Sequence, residues 1–461
     1  MDSRKNTHNP EELEQWDTQY IWHPFTQMRD YSNEKPLIIE KGEGSFLIDI
    51  YGNSYIDGVS SLWVSLHGHR RKEIDQAIID QVKKISHSTL LGISNVPAIG
   101  LAKKLVEIAP EGLSRVFYSD NGSTAVEIAL KMAFQYWQQK SPPQKEKCKF
   151  VCLNYAYHGD TLGAVSVGGI DTFHQLYNPL LFSAFRVPSP YCYRCSLEKA
   201  YPGCQLECVN RVEEVMREHH QEVAALIIEP LVQGAGGMIV APPGYLKKIR
   251  ELCTQYNILL IADEVAVGFG RTGTMFACEQ EKVLPDLMCV AKGISGGYLP
   301  LAATLTTEEV YSAFLGEYRE LRTFFHGHSY TGNPLACSAA LASLEVFERD
   351  RTLKELEGKI DFLEEKLQPF LNLPHVGEVR QKGFMVGIEL VKDKQSKESY
   401  LLEEKVGIKV ILEARKEGLI IRPLGDVMVI MPPLSISCED LEKLVEIVFH
   451  SIDKVTSSIG G

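Results

Sequence analysis

The chain has 461 residues, 44% hydrophobic and 23% charged, enough for one large domain and a smaller one. Its net charge of −12, without a dense lysine/arginine block, argues against a nucleic-acid or anionic-membrane surface. The N-terminus lacks the apolar core of a signal peptide, and no apolar run approaches the roughly 18 residues of a spanning helix, so a cytoplasmic protein is expected.

The middle of the chain alternates short apolar runs with helical patterns, the signature of a mostly parallel sheet covered by helices. Candidate strands lie at 115–118, 149–153, 223–229, 258–263 and 286–290. After the first, Val126, Leu130, Ala133 and Trp137 recur at helical spacing, which marks the core face of a helix. The connecting turn, Ser119-Asp-Asn-Gly122-Ser123-Thr-Ala-Val-Glu127, offers a glycine, two hydroxyls and the free N–H groups of a helix start. Such a start attracts a phosphate, although Asn, Ser and Thr also serve as plain helix caps.

Asn154-Tyr-Ala-Tyr157-His158-Gly159-Asp160-Thr161 follows the second strand and places an aromatic at the same sheet edge, able to stack on a planar ring. Cys192, Cys195, Cys204 and Cys208 then fall in one loop. Their C-x2-C-x8-C-x3-C spacing is open to a structural zinc, but free thiols are the favoured reading and no metal is expected. The other cysteines sit mostly in apolar runs and read as small buried residues.

The strand Ile258-Leu-Leu-Ile-Ala-Asp263 ends in a carboxylate, and the next, Asp286-Leu-Met-Cys-Val-Ala-Lys292, ends in an amine. Pyridoxal phosphate chemistry needs that pair at the ends of successive strands. Asp263 would keep the pyridine nitrogen protonated, and Lys292 would hold the aldehyde as a Schiff base and move protons. A second polar turn, Phe324-Phe-His326-Gly327-His328-Ser329-Tyr-Thr-Gly332-Asn333, can add donors. From about residue 345 the texture changes. A charged helical stretch (345–367) leads to short strands near 383–390 and 419–422 and a last amphipathic helix, a smaller α/β unit against which the first 70 or so residues are expected to pack.

Over nearly its whole length the chain resembles the class III, fold-type I pyridoxal-phosphate aminotransferases. The general signals are the segments around Gly122, Asp263 and Lys292. More restricted are Trp22-His-Pro-Phe-Thr-Gln-Met28, Asn154–Thr161, Ile228-Glu-Pro-Leu-Val-Gln-Gly-Ala-Gly-Gly237 and Ile421-Arg422-Pro-Leu-Gly425. The resemblance implies an α/β fold with a large, mostly parallel domain (75–344) and a small α/β domain (345–461) joined by the N-terminal segment (1–74). The restricted segments are similar to the branch that converts 8-amino-7-oxononanoate to 7,8-diaminononanoate in biotin synthesis. Another ω-amino acid transaminase or an aminomutase on the same scaffold is the alternative.

By that resemblance, Lys292 is the Schiff-base lysine and Asp263 the partner of the ring nitrogen. Gly122 and Ser123 match phosphate-binding positions, Tyr157 the aromatic over the ring, and Gly327 a residue of the substrate site. His328 and Ser329 would reach the cofactor phosphate of a neighbouring subunit, which implies an obligate homodimer with shared sites. Arg422 matches the residue that grips the acceptor's carboxylate. Adenosylmethionine-using relatives carry Tyr where this chain has Phe25 and Trp where it has Leu62, beside Trp63. They also carry a Pro-Thr pair in place of His328-Ser329. These departures make lysine the expected amino donor, ahead of S-adenosylmethionine.

Overall fold

The computed structural model describes residues 9–458. Its centre is a seven-stranded sheet in the order Leu113–Ser119, Ala302–Thr307, Leu287–Val290, Leu259–Asp263, Val223–Ile228, Lys149–Leu153, Phe185–Val187. Only Ala302–Thr307 runs against the rest, pairing antiparallel on both sides. The other six strands share one direction, so Ser119, Leu153, Ile228, Asp263 and Val290 end at one edge. All five residues of Leu259–Asp263 and all six of Val223–Ile228 are buried, as expected for strands covered on both faces.

The helix Gly122–Gln139 lies on one face of the sheet and buries Val126, Leu130, Ala133 and Trp137, the stripe expected from spacing. The Trp137 indole donates to the Ala224 carbonyl at 2.8 Å, which satisfies the ring nitrogen inside the core. The five expected strands all form, within two residues of their expected bounds. Ala302–Thr307 and the three-residue edge strand Phe185–Val187 were not anticipated.

Both ends of the chain meet in a second unit. Ile39–Glu43, Phe46–Asp49 and Ser54–Asp57 form a meander that is completed by Leu419–Ile420, parallel to Ser54–Asp57. A four-stranded antiparallel sheet, Val376–Lys382, Met385–Leu390, Val427–Ile430 and Arg422–Leu424, lies beside it. The helices Thr352–Leu367, Val406–Lys416 and Cys438–Ser457 bury its apolar faces. The charged stretch expected as one helix over 345–367 is instead the end of Pro334–Arg349 and the whole of Thr352–Leu367. Between them Arg351 adopts φ +49°, and the Asp350 carboxylate is drawn to Arg71 at 2.5 Å and Arg349 at 2.9 Å, which ends the first helix. Among the described residues no helix is long and apolar enough to cross a membrane.

Candidate active site

At the carboxyl edge of the large sheet opens a cavity of about 400 Å³. Asp263 enters it from the strand end and Lys292 from the first residue after Ala291, where the backbone turns sharply to φ +45°. Burial pushes the Lys292 ammonium down to about 8 from its ordinary 10.5, although the carboxylates of Asp263 and Glu229 pull the other way. The Lys292 Nζ stands 4.6 Å from the centroid of the Trp63 ring, a buried aromatic wall on the N-terminal segment.

Asp263 is 4% exposed and is held from two sides. Its Oδ1 accepts from the Val265 amide at 3.1 Å, and its Oδ2 accepts from His158 Nδ1 at 2.6 Å. The other ring nitrogen, His158 Nε2, is buried and without a partner among the described residues. These contacts keep the carboxylate fixed and aimed into the cavity, as a partner for a cationic ring N–H requires.

Glu229 forms another wall, 6% exposed. Its two oxygens accept from the backbone N–H of Tyr157 at 3.1 Å and of Gly234 at 2.8 Å. Burial raises its carboxyl to about 7, with His158 opposing and Asp263 reinforcing the shift. Sequence reasoning gave no role to His158 or Glu229, although both lay inside quoted segments. Only the strand order brings them beside Asp263. The signal that was available is a titratable side chain in a segment following a buried strand.

The helix start at Gly122 is built as an anion cradle. Asn121 caps it, its side chain accepting from Thr124 N at 3.0 Å, while the Gly122 and Ser123 amides have no acceptor among the described residues. A Cβ on Gly122 would stand 2.6 Å from Val265 Cγ1, and one on Gly159, at φ +119°, only 2.0 Å from Ser123 Oγ. Both positions therefore need glycine. Free amides, a serine hydroxyl, a fixed carboxylate and a depressed lysine around one cavity fit pyridoxal phosphate: phosphate at the helix start, ring nitrogen towards Asp263, aldehyde towards Lys292.

Tyr157 also lines the cavity, with its hydroxyl donating to Asp160 Oδ2 at 2.7 Å. Its ring meets Phe173 edge-on at 6.4 Å, and Phe173 in turn meets Phe25 at 5.4 Å. Phe25 is thus linked to the cavity wall through one aromatic neighbour while remaining 58% exposed, with φ +51°. Leu62 is half exposed, unlike its neighbour Trp63. Arg422 starts a strand of the small sheet, exposed and without an ion pair among the described residues. Gly327, His328 and Ser329 are not in the cavity wall of this chain. His328 Nδ1 lies 2.6 Å from Asp120 Oδ2, and the Ser329 carbonyl lies 2.7 Å from His87 Nε2.

The four loop cysteines line one small hollow with Tyr191 and Tyr201. Burial, and then the neighbouring cysteines, push the thiols of Cys192 and Cys208 up to about 11. Among the described residues no three His, Cys, Asp or Glu side chains are grouped to hold a metal ion.

Residues 28–452 match the family model described as Aminotransferase class-III. A Geobacter sulfurreducens protein named adenosylmethionine-8-amino-7-oxononanoate aminotransferase is 56% identical, the match covering 96% of this chain and 98% of that one. The crystal structure of a protein of the same name from Methanocaldococcus jannaschii superposes with TM-score 0.92 at 48% identity, covering 97% of this chain and 99% of the other. The omega transaminase of Pseudomonas jessenii in complex with PMP superposes equally well, TM-score 0.92, at 32% identity over 97% of this chain and 99% of that one.

Proposed function

Because the chain belongs to the class III aminotransferases, a fold-type I family that works with pyridoxal phosphate, we propose that it aminates the ketone of 8-amino-7-oxononanoate to give 7,8-diaminononanoate, a step of biotin synthesis. The observation that carries the reading is the meeting of Lys292, Asp263 and the open helix start at Gly122 in one cavity. The names of the relatives at 48–56% identity supply the substrate.

Bound there, pyridoxal phosphate supplies an electron-withdrawing ring conjugated to the carbon that exchanges amino groups. The residues of this chain do the rest. The Gly122 and Ser123 amides and the Ser123 hydroxyl would hold the phosphate, and Tyr157 would cover the ring. Asp263, fixed by His158 and Val265 N–H, keeps the ring nitrogen protonated. The Lys292 amine, deprotonated at mildly alkaline pH, would take the proton from the donor carbon that bears the nitrogen and return it on the far side of that nitrogen, at the carbon that exchanges amino groups. Trp63, Leu62 and Phe25 bound the substrate, Gly327 would do so only from a second copy, and Arg422 takes the acceptor's carboxylate as a bidentate pair.

His328 and Ser329 would complete the phosphate site of a second copy. We therefore propose a cytoplasmic homodimer with shared sites and the division 1–74, 75–344 and 345–461. For the donor, the relatives' names favour S-adenosylmethionine. Lysine is the second reading, favoured by Phe25 and Leu62, which remove a hydroxyl and an indole from the expected donor wall. Purified enzyme with 8-amino-7-oxononanoate and either donor, scored for diaminononanoate, tests both. Product with one donor assigns it, and product with neither refutes the acceptor. Lys292→Ala should abolish turnover, and near-normal turnover in that variant would end the mechanism.

A further inference from the structure

Arg422 sits at the outer edge of the small antiparallel sheet, and the register of that sheet ties it to a distant contact. Arg380 pairs with Gly387, Gly387 with Val429, and Val429 with Arg422. The four residues form one row across four strands. Directly opposed residues of neighbouring strands project from the same face, and three strand spacings make the row about 14 Å long.

The far end of that row is bolted to the cavity wall. Arg380 is 6% exposed and grips the turn that follows Glu229, its Nη2 donating to the Gly237 carbonyl at 2.6 Å and its Nε to the Met238 carbonyl at 3.2 Å. Its charge is met by Glu378 and Glu389, and Glu389 also accepts from Tyr191 and from Arg194 Nε. One residue along the row, Gly387 lets the turn in: a Cβ there would stand 2.8 Å from Met238 Cβ and 3.2 Å from the Gly237 carbonyl. The same turn carries Ala235, which lines the cavity, and Gly234, whose N–H holds Glu229. The sheet face that bears Arg422 is thus indexed against the cavity wall at two adjacent points.

We propose that Arg380 and Gly387 are positioning residues for the acceptor: together they set the distance between Arg422 and the reacting centre, and so the length of carboxylate-bearing chain the site accepts. This rests on the reading of Arg422 given above. A shift of the sheet by a few tenths of an ångström would leave Lys292 and Asp263, on the large sheet, where they are. It would weaken only the grip on the remote carboxylate.

The test is a double-mutant cycle on the holoenzyme, with initial rates measured against 8-amino-7-oxononanoate. In Gly387→Ala, KM for the acceptor should rise about tenfold with kcat within about twofold, the size of a weakened charge-assisted pair. In an Arg422→Ala background the same change should add nothing to KM. Arg380→Lys, which keeps the charge and loses the planar fork, should move KM in the same direction. It serves alone should Gly387→Ala fail to fold. Unchanged KM in both variants, or an equal rise with and without Arg422, overturns the proposal. An unchanged KM in Arg422→Ala alone overturns the assignment of Arg422, and the positioning role falls with it.

Discussion

Lys292 gives the sharpest quantitative expectation. Its amine titrates near 8 instead of 10.5, so at pH 8 about half of it is neutral, against well under one per cent for an exposed lysine. The cofactor-free protein should therefore react with aldehydes at this residue more than a hundredfold faster than at its surface lysines. The assay is the pH dependence of pyridoxal phosphate capture, trapped with borohydride and located by mass spectrometry. A midpoint near 8 is expected at Lys292. Because the Glu229 carboxylate raises this value, Glu229→Gln should move the midpoint lower still. Linkage fixes the sign of a stability effect. Below pH 8 both folded and unfolded chains hold the proton, and the folded chain bears the full desolvation cost. Between 8 and 10.5 the unfolded chain holds a proton that the folded one has shed, so this group makes stability rise with pH. Lys292→Met should therefore raise Tm most below pH 8, with the gain fading towards pH 10.5. A capture midpoint near 10.5, or a gain that grows with pH, would refute the reasoning.

Gly122→Ala drives a methyl to 2.6 Å from Val265 Cγ1, an overpacking worth about 1–3 kcal/mol. Since Val265 N–H also steadies Asp263, cofactor should be lost on dialysis, followed by absorbance. His158→Ala leaves the buried Asp263 carboxylate one donor short and should cost about 1–3 kcal/mol in urea denaturation, with little further loss on adding Asp263→Asn. Lys147 donates to the carbonyls of His220 at 2.7 Å, Val223 at 3.0 Å and Asn257 at 2.7 Å. Lys147→Met strands all three and should cost about 2–4 kcal/mol by the same measurement, without altering the acceptor's KM.

What could be read in the sequence and what could not divide along a physical line. The strand at 258–263 was legible because a strand buried on both faces must be a continuous apolar run, and Asp263 stands out as the charge that ends it. Lys292 stands out for the same reason, and Gly122 because a strand-to-helix turn needs it. Ala302–Thr307 escaped because five of its six residues are alanine or threonine, too weak an apolar signal to separate from a loop. The helix expected over 345–367 is broken before Arg351 by an ion-pair cluster in which Asp350 and Arg349 meet Arg71 and Glu73, some 280 positions earlier. His158 and Glu229 were invisible as site residues because their meaning depends on which strands are neighbours. Lys149–Leu153 lies next to Val223–Ile228, and that strand next to Leu259–Asp263, so the loops after all three converge on one carboxylate. The row from Arg380 to Arg422 depends on more still, since a one-residue slip in any of three pairings would turn Arg422 to the opposite face. Residues that do chemistry at strand ends announce themselves in sequence; residues that set distances exist only once register is fixed. The donor question falls between the two: Phe25 and Leu62 are plain in the sequence, yet both are exposed in the single chain, so the contacts of this chain alone do not define the wall proposed for them.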